Sequence, residues 1–169
     1  SYRAVISKAK EWEGYCEKKS NSQLENKTAN AGYNNYTIFA QRCREKTKSA
    51  VYANPGKWCD YFVDFCFIEA LGIARAKELL GSWTGYTPDS AKFLKQAGAT
   101  VVKTSEAKYG DVIFFRNSER ICHTGLVTNG YAEKAADDER FVYSAQNFRA
   151  DMMSVTGTKT PETIARSEE

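Results

Sequence analysis

Apolar residues recur at spacings of three and four at the start of the chain, at Ala4, Val5, Ile6, Ala9, Trp12 and Tyr15-Cys16. That period predicts an amphipathic helix over roughly residues 1–20. Glu11, Glu13 and Glu17 alternate there with Lys8, Lys10, Lys18 and Lys19, the pattern of a solvated face. Ser20, Asn21, Asn26, Asn30, Gly32, Asn34 and Asn35 then predict a polar loop. A shorter helix is expected from Tyr36 to Val51, ended by the turn Asn54-Pro55-Gly56. After that turn comes the most apolar run of the chain, Trp58 to Leu71, read as a buried helix stopped by Gly72. Ala74 to Leu80 continues helical, Gly81 to Tyr86 is a turn containing Trp83, and Pro88 to Ala97 is a last short helix before Gly98.

Beyond Gly98 the period becomes strand-like. Gly110 to Arg116, His123 to Thr128 and Arg140 to Asn147 each read as strands, with the charged Glu133–Arg140 segment as an exposed turn. Residues 148–169 show no clear pattern, and Thr156 to Thr160 reads as loop. Helices first and strands second predict an α+β fold in which N-terminal helices pack on an antiparallel sheet. A single domain over residues 1–169 is expected, helical over about 1–98 and sheet over about 108–169.

Composition narrows the function classes. A chain of 169 residues can bury a core without metal or disulfide staples. With 42% apolar and 27% charged residues, disorder and coiled coil are poor fits. No apolar stretch reaches membrane-spanning length, and no leader opens the chain at Ser1. The net charge of +3 comes from scattered lysines and arginines without a basic, aromatic-interleaved stripe, which argues against a nucleic-acid partner. A mild positive charge does suit an anionic surface such as a bacterial wall.

The candidate chemistry lies in the cysteines and the one histidine. Cys16, Cys43, Cys59, Cys66 and Cys122 are odd in number, so at least one thiol is free. No C-x-x-C or H-x-x-x-H spacing occurs, and Cys122 and His123 point to opposite faces of a strand; neither metal nor cofactor is expected. Cys16 and Cys43 stand in two helical segments and are a possible pair only in an exported protein. Cys66 lies two turns beyond Cys59, on the same helix face and deeper in the core. Cys59 differs from the rest. It opens the buried helix, where unpaired N–H groups and the helix dipole favour a thiolate.

A cysteine nucleophile needs a base, and His123 is the single histidine of the chain. An orienting group belongs on the adjacent strand, where Asn147 is the polar residue on the face shared by Tyr143 and Ala145. Trp58, Tyr61 and Trp83 are candidates to line a groove. Asp60 and Asp64 suit a helix start, and Asp60 is the better placed of the two to touch substrate.

Three ordered motifs carry a resemblance. They are Gly56-Lys57-Trp58-Cys59-Asp60-Tyr61-Phe62-Val63-Asp64-Phe65-Cys66-Phe67-Ile68, Gly110-Asp111-Val112-Ile113-Phe114-Phe115 and His123-Thr124-Gly125-Leu126-Val127. With Trp12-Glu13-Gly14-Tyr15, Glu17-Lys18 and Asn35-Tyr36-Thr37, the chain over about residues 9–147 resembles the CHAP domain of the NlpC-like, papain-like cell-wall cysteine hydrolases. The resemblance implies a papain-like fold, Cys59 as nucleophile, His123 as general base and peptidoglycan as substrate. The bond cut would be the N-acetylmuramoyl-L-alanine amide or one within the stem peptide or cross-bridge. It also implies a secreted or wall-acting protein of bacterial or phage origin. Where the family often has Glu-Gly-Asn, this chain has Ala145-Gln146-Asn147, so the third place falls to Asn147 or Gln146. That lost carboxylate keeps two alternatives open: a catalytically weak wall-binding module, and a cysteine protease or toxin effector acting on a protein amide. Oligomeric state is left open.

Overall fold

A computed structural model describes residues 2–101 and 109–127 in full, and the backbone alone of residues 102, 143–144 and 160–166. Among the described residues, five helices precede an antiparallel sheet, so the architecture is α+β. Helix α1 (Tyr2–Glu11) buries Val5, Ile6 and Ala9. Helix α2 (Ile38–Thr47) starts at Thr37, whose Oγ1 accepts from the Ala40 N–H at 3.2 Å, and ends where Lys48 turns left-handed at φ 61°.

Helix α3 (Cys59–Leu71) is the centre of the molecule. Every side chain from Asp60 to Ile68 is buried, so it has no solvent face of any width. Helices α1, α2 and α4 (Ile73–Leu80) pack around it. Helix α5 (Thr87–Gln96) carries Pro88 in its first turn, where a missing N–H costs nothing.

The strands are β1 (Thr100–Val102), β2 (Val112–Arg116), β3 (Ile121–Leu126), β4 (Tyr143–Ser144) and β5 (Thr160–Arg166), in the order β1-β5-β2-β3-β4. All neighbours are antiparallel. β2 and β3 form a hairpin in which Phe115 faces His123. Its turn is set by Asn117, whose Oδ1 accepts from the N–H groups of Glu119 and Arg120 at 2.8 and 3.0 Å. α3 lies against β3, so the helix side of the core meets the sheet at the strand that carries His123.

The structure departs from the periodicity in three places. The first helix stops at Glu11, and the chain reverses through Gly14 at φ +88°. Residues 15–17 have no regular structure instead, and Lys18 is bridged to Ala31 and Tyr36. Glu17 and Lys18 are therefore not solvated; they are 2% and 0% exposed. Their charges are retained inside because each has partners. Lys18 Nζ donates to the Asn26 carbonyl and lies 4.7 Å over the Tyr15 ring. Second, β5 occupies a stretch that carries no alternation, because Pro161 and Glu162 interrupt it. Third, β3 begins at Ile121, ahead of His123, and β1 was not foreshadowed at all. The third expected strand, 140–147, falls on β4 only at Tyr143–Ser144; the rest lies outside the described residues.

The core is aromatic at its densest point. Phe39 of α2, fully buried, stands 4.8 Å from Tyr15, 4.9 Å from Phe62, 5.0 Å from Phe65, 5.4 Å from Trp58 and 5.5 Å from Trp12 between ring centroids. None of the five cysteines is in a disulfide, so Cys16 and Cys43 are not joined. Cys43 Sγ is directed at the Tyr61 carbonyl, 3.7 Å away.

Candidate active site

The segment before Cys59 is fixed by backbone and amide bonds to a distant part of the chain. The Asn54 side chain pairs with the backbone of Thr37, donating to its carbonyl at 2.9 Å and accepting from its N–H at 3.0 Å. The Gly56 N–H donates to the Asn35 carbonyl at 2.9 Å. A side chain at Gly56 has no room, since a Cβ would lie 2.6 Å from the Ala53 carbonyl oxygen and 2.9 Å from Tyr61 Oη. Tyr61 Oη in turn donates to the Val51 carbonyl at 2.8 Å.

Trp58 completes the anchorage. It is 0% exposed, packed on Phe39 and Phe62, and its Nε1 donates to Glu17 Oε1 at 3.3 Å. The other Glu17 oxygen accepts from the Asn35 N–H at 2.7 Å. Trp58 is thus a core residue that seats the start of α3, not a groove wall. Asp60 is also 0% exposed and points into the core, away from any surface a polymer reaches. Both residues expected to touch substrate are inward; the physical reason is that the first turns of α3, from Asp60 to Ile68, are buried on every side.

Glu17 was hidden in the sequence among alternating charges, and its partner Trp58 lies 41 residues away. Glu17→Ala leaves two buried N–H donors without their acceptor. At about 1–3 kcal/mol for each orphaned group, a loss of roughly 2–6 kcal/mol is expected in urea unfolding, with a smaller loss for Glu17→Gln.

Cys59 itself is half-buried, at the first position of α3. Trp58 supplies no side-chain cap, and the first helical bond runs from the Phe62 N–H to the Trp58 carbonyl at 2.9 Å. Helix geometry gives the preceding N–H groups no carbonyl four residues back, so they converge where a thiolate or an oxyanion is stabilised. The deeper thiols contrast with it. Burial, and then nearby carboxylates, push Cys43 well up; burial pushes Cys66 well up, against a smaller opposing pull from Lys8. Those two are inert at neutral pH.

His123 is 1% exposed on β3, with its ring 5.6 Å from that of Phe115. Helix α5 joins the two parts of the site. Thr87 Oγ1 in its first turn donates to the Ile121 carbonyl of β3 at 2.9 Å, and the Ser90 hydroxyl faces Asp60 of α3. The structure therefore brings Cys59 and His123 onto elements in direct contact, with α5 packed on the strand that carries His123. Asn147 and Gln146 lie outside the described residues.

Near the same end, the Arg120 guanidinium lies 5.1 Å over the Tyr86 ring and donates to the Ile121 carbonyl at 2.8 Å. Tyr86, 49% exposed, is the aromatic that the surface presents there; the periodicity assigned it only to a turn. Among the described residues, no group of three or more His, Cys, Asp or Glu side chains is placed to hold a metal ion, and no helix is long and apolar enough to cross a membrane. Comparison with protein-family models, curated proteins and solved structures found no match.

Proposed function

We propose that this chain is a cysteine-dependent peptidoglycan hydrolase that cleaves an amide bond, either the N-acetylmuramoyl-L-alanine linkage or one in the stem peptide or cross-bridge. The observation that carries this reading is the half-buried Cys59 at the start of a central helix, packed on the strand that bears the single histidine. A cysteine helix laid on an antiparallel sheet that bears the histidine supports a papain-like reading of the α+β fold. The ordered CHAP-like motifs supply the substrate class and, with it, action at a bacterial wall.

In this mechanism His123 takes the Cys59 proton and the thiolate attacks the amide carbonyl. Backbone N–H groups at the start of α3 receive the oxyanion, each worth about 3–4 kcal/mol in comparable sites. His123 then gives its proton to the leaving amine, and water, deprotonated by His123, resolves the thioester. Asn147 or Gln146 orients the imidazole.

A second reading is favoured by one feature, the absent carboxylate at Ala145-Gln146-Asn147. It makes the chain a wall-binding module of little activity. Mass spectrometry of a peptidoglycan digest, wild type beside Cys59→Ala, separates the two. New muropeptides from wild type alone support the hydrolase and identify the bond. Wall binding with no new amino groups from either protein sinks it in favour of the module. Cleavage of a protein amide without new muropeptides moves the same chemistry to a protein substrate.

A further inference from the structure

Asp60 follows Cys59 directly and is 0% exposed. Both carboxylate oxygens are removed from solvent, and neither makes a full hydrogen bond, the Ser90 hydroxyl being the one donor that faces them. An ion in that position is strongly disfavoured. Burial moves its titration up to about 7, and the Ser90 hydroxyl of α5 acts the other way without offsetting it. One turn on, Asp64 is also buried and accepts from Tyr52 Oη at 2.7 Å; burial, then Asp60, pushes it well up.

The surroundings of the pair contain no compensating cation among the described residues. Cys43 of α2, Tyr52 of the loop after α2 and Tyr61 of α3 all feel both carboxylates. β3, packed on α3, carries His123. Lys8 and Glu11 of α1, with Glu69, act instead on Cys66, farther along the helix.

We propose that Asp60 is a positioning residue for the Cys59 thiolate: as the neutral acid it leaves the positive end of α3 to the sulfur, and as an ion it competes for it. Two negative charges on adjacent residues at one helix start repel each other and share one helix dipole, so each raises the cost of the other. The Cys59 proton passes to His123 and the Asp60 proton to solvent; no bond is made or broken at Asp60. This inference rests on the reading of Cys59 as nucleophile.

The test is the rate at which iodoacetamide alkylates Cys59 in the full chain between about pH 5 and about pH 10, read by peptide mass spectrometry so that Cys122 is counted apart. In wild type the rate rises in two steps with a flattening near neutrality. Asp60→Asn, isosteric with the neutral acid, gives one step and a rate roughly three- to tenfold higher at about pH 8. Asp60→Ala, which removes the carboxyl without adding a donor, gives the same single step. Asp64→Asn, one turn deeper, changes the rate by less than about twofold. Superimposed wild-type and Asp60-variant profiles overturn the proposal, as does an equal response to Asp64→Asn. A Cys59 no more reactive than Cys122 in every protein overturns the nucleophile reading and the proposal with it.

Discussion

His123→Ala is expected to lower the proposed amide hydrolysis at neutral pH by about a thousandfold, the central value for losing a general base that also protonates the leaving group. The chain has no second imidazole to substitute. Its buried place on β3 means that alanine also opens a cavity, so the comparison needs His123→Gln, which fills more of the space and cannot cycle a proton at neutral pH. Both variants are expected to retain the helical circular dichroism of wild type while losing turnover of soluble muropeptide. Turnover within tenfold of wild type in a folded variant would remove His123 from the chemistry.

The second large effect is on stability. Phe39→Ala deletes the ring that touches Trp12, Tyr15, Trp58, Phe62 and Phe65 at once. A buried Phe→Ala change costs about 3–5 kcal/mol, a large share of the roughly 5–15 kcal/mol that holds a domain folded. A fall of about 10 °C or more in Tm is expected. Because Trp58 loses its principal neighbour, the start of α3 loosens too, and hydrolysis should fall even at temperatures where the variant remains folded. Phe39→Leu, which refills most of the volume, recovers most of both losses. A change in Tm under about 3 °C would mean that the aromatic cluster is not the centre of the core.

How far the sequence reached depends on whether a signal was local. The start and stop of α3 were legible because a turn breaker precedes Cys59 and Gly72 follows Leu71. The hairpin bearing His123 was legible because β-formers crowd both of its strands. The end of α1 was not. Glu17 and Lys18 continue a helical charge pattern, and only partners at Asn26, Asn35 and Trp58, brought close by the fold, draw them inside. β5 was invisible for a related reason: its pairing with β1 and β2 joins residues far apart in sequence and overrides a poor local pattern. At the site, the place of Cys59 was readable from the helix start, whereas the burial of Trp58 and Asp60 depends on what surrounds α3. An aromatic and an acid beside a candidate nucleophile suggest substrate contact; here one anchors the helix and the other is buried in the core facing Ser90.

The central claim is that Cys59 is an activated thiol, distinct from the other four. The most direct measurement is peptide mapping after brief exposure of the native chain to less than one equivalent of iodoacetamide at about pH 6, where an ordinary thiol with a pKa near 8.5 is almost wholly protonated. Carbamidomethylation is predicted at Cys59, with the half-exposed Cys122 modified at least about tenfold less and Cys16, Cys43 and Cys66 protected by burial. Label that falls first, or equally, on Cys122 would contradict the account.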